Sequence, residues 1–223
     1  MKLFLAITLL SVSFRSPAIA QGLDPAANDA WKSVRLGPMF LPGMSSDAGT
    51  VANGAKTDVV DFSWALGAMA DFPFTPNFGL RVSVCYDSRA VGFYDQRNSN
   101  SYDDYTFSYF SLRPELRIGD FLVGLGVGIP VGASVTAQNE ISPHIGASSM
   151  NVLVEGRIGA AVPVFVSSNG NSLEFIADAS YGFTEITSGP LPPNFTSSDK
   201  TRNNGPIAGL QLGFAYLFNL NAH

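Results

Sequence analysis

The chain has 223 residues, 14% of them charged and 46% hydrophobic, with 22 glycines, a single cysteine and a formal net charge of −5. That length suits one domain, the lone Cys85 excludes an intramolecular disulfide framework, and an acidic balance excludes nucleic-acid binding, which needs a basic surface. No apolar run after the N-terminus reaches the roughly 18–20 residues of a membrane-crossing helix, so any crossing falls to strands of about 9–11 residues that alternate apolar-out and polar-in.

Residues 1–20, MKLFLAITLLSVSFRSPAIA, read as a secretory signal. Lys2 supplies the positive start, Leu3 to Leu10 the apolar stretch, and Ala18-Ile19-Ala20 the small-residue cleavage site. Cutting there removes Lys2 and Arg15 from the 13 bases and none of the 18 acids, which leaves 11 against 18 and a net charge near −7. No cysteine follows the cut, which disfavours a lipid anchor. Residues 21–31 are short, polar and proline-containing, a periplasmic lead-in to a barrel over 32–220.

Eight strands are expected. The first runs from about Trp31 to Pro42, with Val34, Leu36, Pro38 and Phe40 outward and Arg35, Gly37 and Met39 inward. A polar loop over Gly43–Thr57 precedes the second, Asp58 to Phe72, where Phe62, Trp64, Leu66 and Phe72 alternate with Asp61, Ser63, Met69 and Asp71. After a tight return at PFTPN, Leu80, Val82, Val84 and Tyr86 oppose Arg81, Ser83, Cys85 and Asp87 in the third. A long loop covers Gly92–Asp104.

The fourth and fifth strands, Tyr105 to Ala133, carry the most informative pattern. They meet at Gly119-Asp120, a hairpin signal. Pairing across that turn sets Ile118 opposite Phe121, Leu116 opposite Val123, Leu112 opposite Val127, Phe110 opposite Ile129 and Ser108 opposite Val131. The other face carries Arg113, Glu115 and Arg117 beside Gly124, Gly126 and Gly128. Glycine is costly in a strand because it packs nothing and loses the most backbone entropy. Glycines set among large charges make sense where those charges crowd into a narrow space, so the apolar face points outward, into lipid. A loop over Ser134–Ser149 then leads to a sixth strand, Met150 to Val164, with Glu155 and Arg157 inward. The seventh, Leu173 to Thr187, has Glu174 and Asp178 inward. After a Pro- and Asn-rich loop, the eighth runs from Pro206 to Leu220. Long loops alternate with short turns, which is the asymmetry of an all-β, eight-stranded antiparallel up-and-down transmembrane barrel.

An eight-stranded barrel is only wide enough inside for side chains to fill. The inward charges Arg35, Arg81, Arg113, Arg117 and Arg157 should therefore pair with Asp61, Asp71, Asp87, Glu115, Glu155, Glu174 and Asp178, since an unpaired buried charge is far costlier than a pair. Every base in that set is arginine, whose planar fork suits carboxylates. The reading is a salt-bridged plug. Cys85 is expected to be a small inward filler. Trp31, Phe72, Phe74, Phe78, Tyr94, Tyr102, Tyr105, Tyr109, Phe110 and Phe218 fall near strand ends and are expected to form interfacial girdles.

Over Lys32 to Leu220 the chain resembles the outer-membrane β-barrel domain family, the PorT-like and OmpX/OmpA-type small barrels of Bacteroidetes-like bacteria. The resemblance rests on SLRPELRIGDFLVGLGVGIPVG and on the last strand, where Gln211, Gly213, Tyr216 and Phe218 match the signal such proteins present to the barrel-assembly machinery. It implies an integral outer-membrane protein.

Catalytic chemistry is poorly supplied. His144, near Glu140, Ser148 and Ser149 in a predicted loop, and His223 at the terminus are the two histidines. Neither is placed as a nucleophile–base pair requires. No clustered His or Cys marks a metal site, Asp103-Asp104 do not form a calcium loop, and no cofactor motif is present. The sequence therefore predicts a non-enzymatic, monomeric outer-membrane barrel whose four outer loops serve membrane structure or contact with a surface or secretion-system partner. Alternatives are a narrow pore and a lipid-modifying enzyme.

Overall fold

The computed structural model describes residues 33–48, 55–95, 102–137, 144–187 and 205–220. The expected signal at 1–20 and lead-in at 21–31 lie outside them. Eight long antiparallel strands form the barrel: β1 Arg35–Asp47, β2 Asp61–Thr75, β3 Phe78–Asp95, β4 Tyr102–Ile118, β5 Phe121–Ala137, β6 Leu153–Val166, β7 Ser172–Gly182 and β8 Ile207–Asn219. Each pairs with its neighbours in sequence, and β8 returns to β1 through Arg35↔Asn219 and Phe40↔Phe214. The sheet therefore has no edge along the wall, which removes the row of unpaired N–H and C=O groups an open sheet would present.

The two ends of the barrel differ. At the turn end, Gly119 adopts φ +63° in the hairpin between β4 and β5, and Gly170 adopts φ +77° in the return between β6 and β7. Glycine takes these left-handed conformations without steric cost. The first and last residues of the barrel, Arg35 and Asn219, also lie at the turn end. The loop end carries the longer connections, where Ala55–Val59 pairs with the top of β3 and His144–Gly146 pairs with β5.

The strands climb further toward the loop end than the polar composition suggests. β1 continues to Asp47, β3 to Asp95 and β5 to Ala137, where loops starting at Gly43, Gly92 and Ser134 are expected. Ala55–Val59 and His144–Gly146 likewise add pairing inside two expected loops. β7 errs the other way and stops at Gly182, short of the expected Thr187. A ladder needs a hydrogen-bonding partner rather than an apolar side chain, and β4 supplies one up to Tyr94↔Tyr102 on one side and Asp103↔Ala137 on the other.

Alternation along each strand sorts the side chains. On β4, Phe110, Leu112, Leu116 and Ile118 are exposed while Ser111, Arg113 and Glu115 are buried. The hairpin register is the expected one from Ile118↔Phe121 to Phe110↔Ile129. It breaks one step higher, where Ser108 faces Gly132 rather than Val131, because β5 carries one extra residue between Pro130 and Gly132. A bulge suits a proline, which has no N–H to give the ladder. Its effect is to reverse the parity of β5, so that Ala133 and Val135 point inward where Val131 points out.

Glycines of β5 sit where the ladder leaves little room. Gly124 sits between Glu115 on β4 and Arg157 on β6. A Cβ there would lie 2.2 Å from the Pro114 carbonyl oxygen and 2.9 Å from Glu115 Cγ. Gly124→Val should therefore overpack the wall and cost about 1–3 kcal/mol. The cost would be read as a lower denaturant midpoint for the heat-modifiable, folded form on gels, and an unchanged midpoint would show that the wall has slack there.

Candidate functional site

The barrel interior is built in layers. Nearest the turn end, Arg35 on β1, Asp71 on β2, Arg81 on β3, Arg117 on β4 and Glu174 on β7 form the lower cluster. Arg35 ion-pairs with Asp71 and, at 3.0 Å, with Glu174; Arg81 donates to Glu174 at 2.5 Å, and Arg117 to Asp71 at 2.9 Å. The Ser172 hydroxyl accepts from Arg35 Nη1 at 2.8 Å.

The upper cluster is denser and entirely buried. Asp87 on β3 is gripped by Arg89, whose Nε and Nη2 each donate at 2.9 Å to a different carboxylate oxygen, and by Arg113 Nη2 at 2.6 Å. Arg89 also reaches Glu155 on β6 at 3.2 Å and the Ser180 hydroxyl on β7 at 3.0 Å. Arg157 pairs with Glu155, Asp178 and Glu115. Arg113 Nη1 donates to Gln211 Oε1 on β8 at 3.1 Å. The lower cluster has three arginines to two carboxylates and the upper has three to four, so together their charges balance.

Apolar side chains separate the charges. Met39, Met69, Cys85, Leu122, Ile176 and Leu217 belong to one buried apolar layer. On β3 and β7 its members fall between lower- and upper-cluster positions, as Cys85 does between Arg81 and Asp87 and Ile176 between Glu174 and Asp178. On β4 the charges instead run on without a break through Arg117, Glu115 and Arg113. A second apolar layer lies above the upper cluster, where Val91, Tyr105, Phe107, Tyr109, Leu153 and Ile207 meet.

Eleven of the twelve expected interior charges thus enter the two clusters. Asp61 is the exception. It lies half-buried at the loop end of β2, opposite Ser45. Arg89 is the residue the sequence reading omits, and it holds the upper cluster together while being 0% exposed. Its parity matches Arg81, Ser83, Cys85 and Asp87, so carrying that inward row one step further locates it. Gly209 makes room for it, since a Cβ there would come within 2.3 Å of Arg89 Nη1.

The aromatic girdle needs a correction. Phe72, Phe74, Phe78, Phe110 and Phe218 do face outward, and Tyr86 packs between Trp64 and Phe110 with ring centroids 5.5 and 5.7 Å away. Tyr105 and Tyr109 do not join them: they share the inward row of Ser111 and Arg113 and are buried in the upper apolar layer. Trp31 and the side chains of Tyr94 and Tyr102 lie outside what the structure describes.

Of the assembly-signal residues, Gln211 and Gly213 face inward, and Tyr216 packs edge-on against Phe218 at 4.9 Å on the outer wall. Gln211 is thereby also a partner of Arg113 within the upper cluster. His144 begins the short strand beside β5, paired with Ser134; Ser148 and Ser149 are exposed, and Glu140 and His223 lie outside the described residues. Among the described residues no group of three or more His, Cys, Asp and Glu is arranged to hold a metal ion.

Arg89 tests the network directly. Arg89→Met leaves Asp87 and Glu155 one counter-charge short, and breaking a buried pair in this way costs about 3–5 kcal/mol. The urea midpoint of the refolded barrel should fall accordingly, and adding Glu155→Gln should restore part of the loss. An unchanged midpoint in the single variant would remove Arg89 from the network.

No protein-family model matches the chain, and no curated protein does. Solved structures similar to it include Ail, the attachment invasion locus protein of Yersinia pestis, at 16% identity over 83% of this chain and 98% of that one, with a TM-score of 0.39. OprG of Pseudomonas aeruginosa, an outer membrane protein, matches at 16% identity over 83% and 94%, with a TM-score of 0.32. The outer membrane protein AlkL, determined in lipid bilayers, matches at 15% identity over 86% and 92%, with a TM-score of 0.34.

Proposed function

We propose that the chain is an integral outer-membrane β-barrel with a closed interior, which acts in membrane structure or in cell-surface contact through the connections at its loop end. The observation that carries this reading is the orientation of the wall. Large apolar side chains face outward around the circumference, among them Phe40, Phe62, Leu66, Ile129, Ile158 and Phe214, while arginines and carboxylates are buried within. A water-soluble barrel would reverse that arrangement, because exposed apolar surface on this scale is driven out of water. In lipid the same wall is stable, since the closed ladder satisfies every strand's backbone groups and the outer face matches the hydrocarbon.

The closed state is supported by the layered interior, in which paired guanidinium and carboxylate groups alternate with apolar side chains. An ion crossing it would have to break buried pairs and pass between the apolar side chains above the upper cluster, which cannot replace its hydration. Under this reading the turn end faces the periplasm, as short turns do in such barrels. The partners are membrane lipid, the barrel-assembly machinery that reads the last strand through Gln211, Gly213, Tyr216 and Phe218, and a surface or secretion partner at the loops. No catalytic role is assigned.

The mature chain should partition with the outer-membrane envelope fraction and need detergent for extraction, and the purified barrel should give no stable current steps in planar bilayers. Recovery as a detergent-free soluble protein would overturn the membrane assignment. Stable steps would overturn the closed interior.

A further inference from the structure

On β4 and β5 polarity inverts toward the loop end. On β4 the outward row changes from Ile118, Leu116, Leu112 and Phe110 to Ser108, Thr106 and Asp104, while the inward row changes from Arg117, Glu115, Arg113 and Ser111 to Tyr109, Phe107 and Tyr105. β5 does the same after its bulge. Ser134 and Thr136 are exposed there, in register with Thr106 and Asp104, and Ala133 and Val135 are buried. Above this level these two strands have the polarity of a water-soluble sheet, apolar within and hydroxyl-bearing without, whereas β1 and β2 keep Ser45, Asp47 and Ser63 buried and Met44 and Phe62 exposed. The apolar interior of that segment draws on β3, β4, β5, β6 and β8, while β1 and β2 contribute the buried polar side chains Ser45, Asp47 and Ser63 there. Tyr105 and Phe107 lie parallel, 6.2 Å apart, and Phe107 and Tyr109 are 0% exposed.

We propose that this apolar collar, rather than the ion pairs beneath it, is the seal that keeps water and solutes in the outer medium from the barrel interior. The upper charge cluster is then closed off above by the collar, while below it the layer of Met39, Met69 and Ile176 is crossed on β4 by the unbroken row Arg113, Glu115 and Arg117. The physical reason lies in what each layer offers a water molecule. Guanidinium and carboxylate groups would accept water as a further hydrogen-bonding partner, and buried Arg113 Nε and Asp178 Oδ1, which have no partner in the protein, would gain one. The aliphatic side chains and the Phe107 ring offer water nothing and lose packing when it enters, although the buried Tyr109 hydroxyl also has no partner in the protein. A charged plug alone would be wetted from the loop side. A collar of rings and branched side chains would not be, and it lies where the outer faces of β4 and β5 turn polar.

The inference rests on the closed reading above, and it is tested by a measurement separate from conductance. A Cys85→Ala background removes the native thiol, and Ser111→Cys then places one in the inward row directly below Tyr109. The folded barrel in liposomes is exposed from the outer side to a membrane-impermeant thiol reagent. With the collar intact the thiol should stay protected. Phe107→Ser should raise its labelling rate by about tenfold or more, as protection set by the opening equilibrium is lost. Arg113→Gln, which loosens the cluster and spares the collar, should leave it protected. Fast labelling with the collar intact would overturn the proposal, as would exposure by Arg113→Gln but not by Phe107→Ser. Heat-modifiable mobility on gels selects the folded fraction, and Ile207→Ser opens the collar from β8 should Phe107→Ser fail to fold. Current steps from the unmodified barrel would instead count against the closed reading itself.

Discussion

A carboxylate held in a lumen about one side chain wide has two options: to find a cation there, or not to be there at all. Water cannot solvate it in bulk, and the wall presents only other side chains. Asp87 shows the outcome, with Arg89 taking both of its oxygens and Arg113 adding a third donor. Much else in the fold follows from that constraint. Gly124 and Gly209 leave the volume that Glu115 and Arg89 occupy, Gln211 and Ser180 take up the remaining guanidinium donors, and the charges balance across the two clusters although neither balances alone.

Buried ion pairs seldom stabilise a fold more than apolar packing of the same volume would, because desolvating both partners offsets most of their attraction. The pairs therefore need a different explanation, and the alternation of layers suggests one. Apolar layers give the interior its packing, and the clusters fix which strand sits beside which. Arg35, Arg81 and Arg117 come from three strands and converge on carboxylates from β2 and β7. A slip of one residue in any strand would carry its charges to the outer wall. The network thus makes register errors expensive, which matters in a barrel whose apolar rows are chemically alike.

The strand count, the hairpin register and most of the interior were legible from alternation alone, because a wall between two different media forces a period of two. What escaped notice lies almost wholly at the loop end. Arg89, Tyr105 and Tyr109 keep the inward parity of their strands, yet polar residues around Gly92 and Ser134 read as loop, and aromatic residues near a strand end read as girdle. Both readings assume that apolar means outward along the whole strand. That assumption holds only at the depth of the belt. Above it β4 and β5 continue with their polarity exchanged, so composition there points the wrong way while parity still points the right one. The bulge at Pro130–Gly132 was hidden for a related reason: Val131 extends the apolar outward row without interruption, and only the inward placement of Ala133 reveals the extra residue.

The polar inward row also bears on how such a chain reaches its place, on the reading that it is exported. It must cross an aqueous compartment before the wall closes, and during that time both faces of every strand are open to water. Were the lumen filled by apolar side chains alone, the strands would be apolar on both faces and without charge. Unpaired strands of that kind associate readily with one another. Charges at Arg81, Asp87, Arg113, Glu115, Glu155 and Arg157 interrupt each such run while the chain is unfolded and are removed from water only when their partners arrive. Their stabilising effect in the finished barrel is modest, whereas in the unfolded chain they act as gatekeepers against aggregation. A single set of side chains thus serves solubility before closure and register after it, and on β4 and β5 the apolar collar, whose outward rows are already polar there, needs no charges of its own.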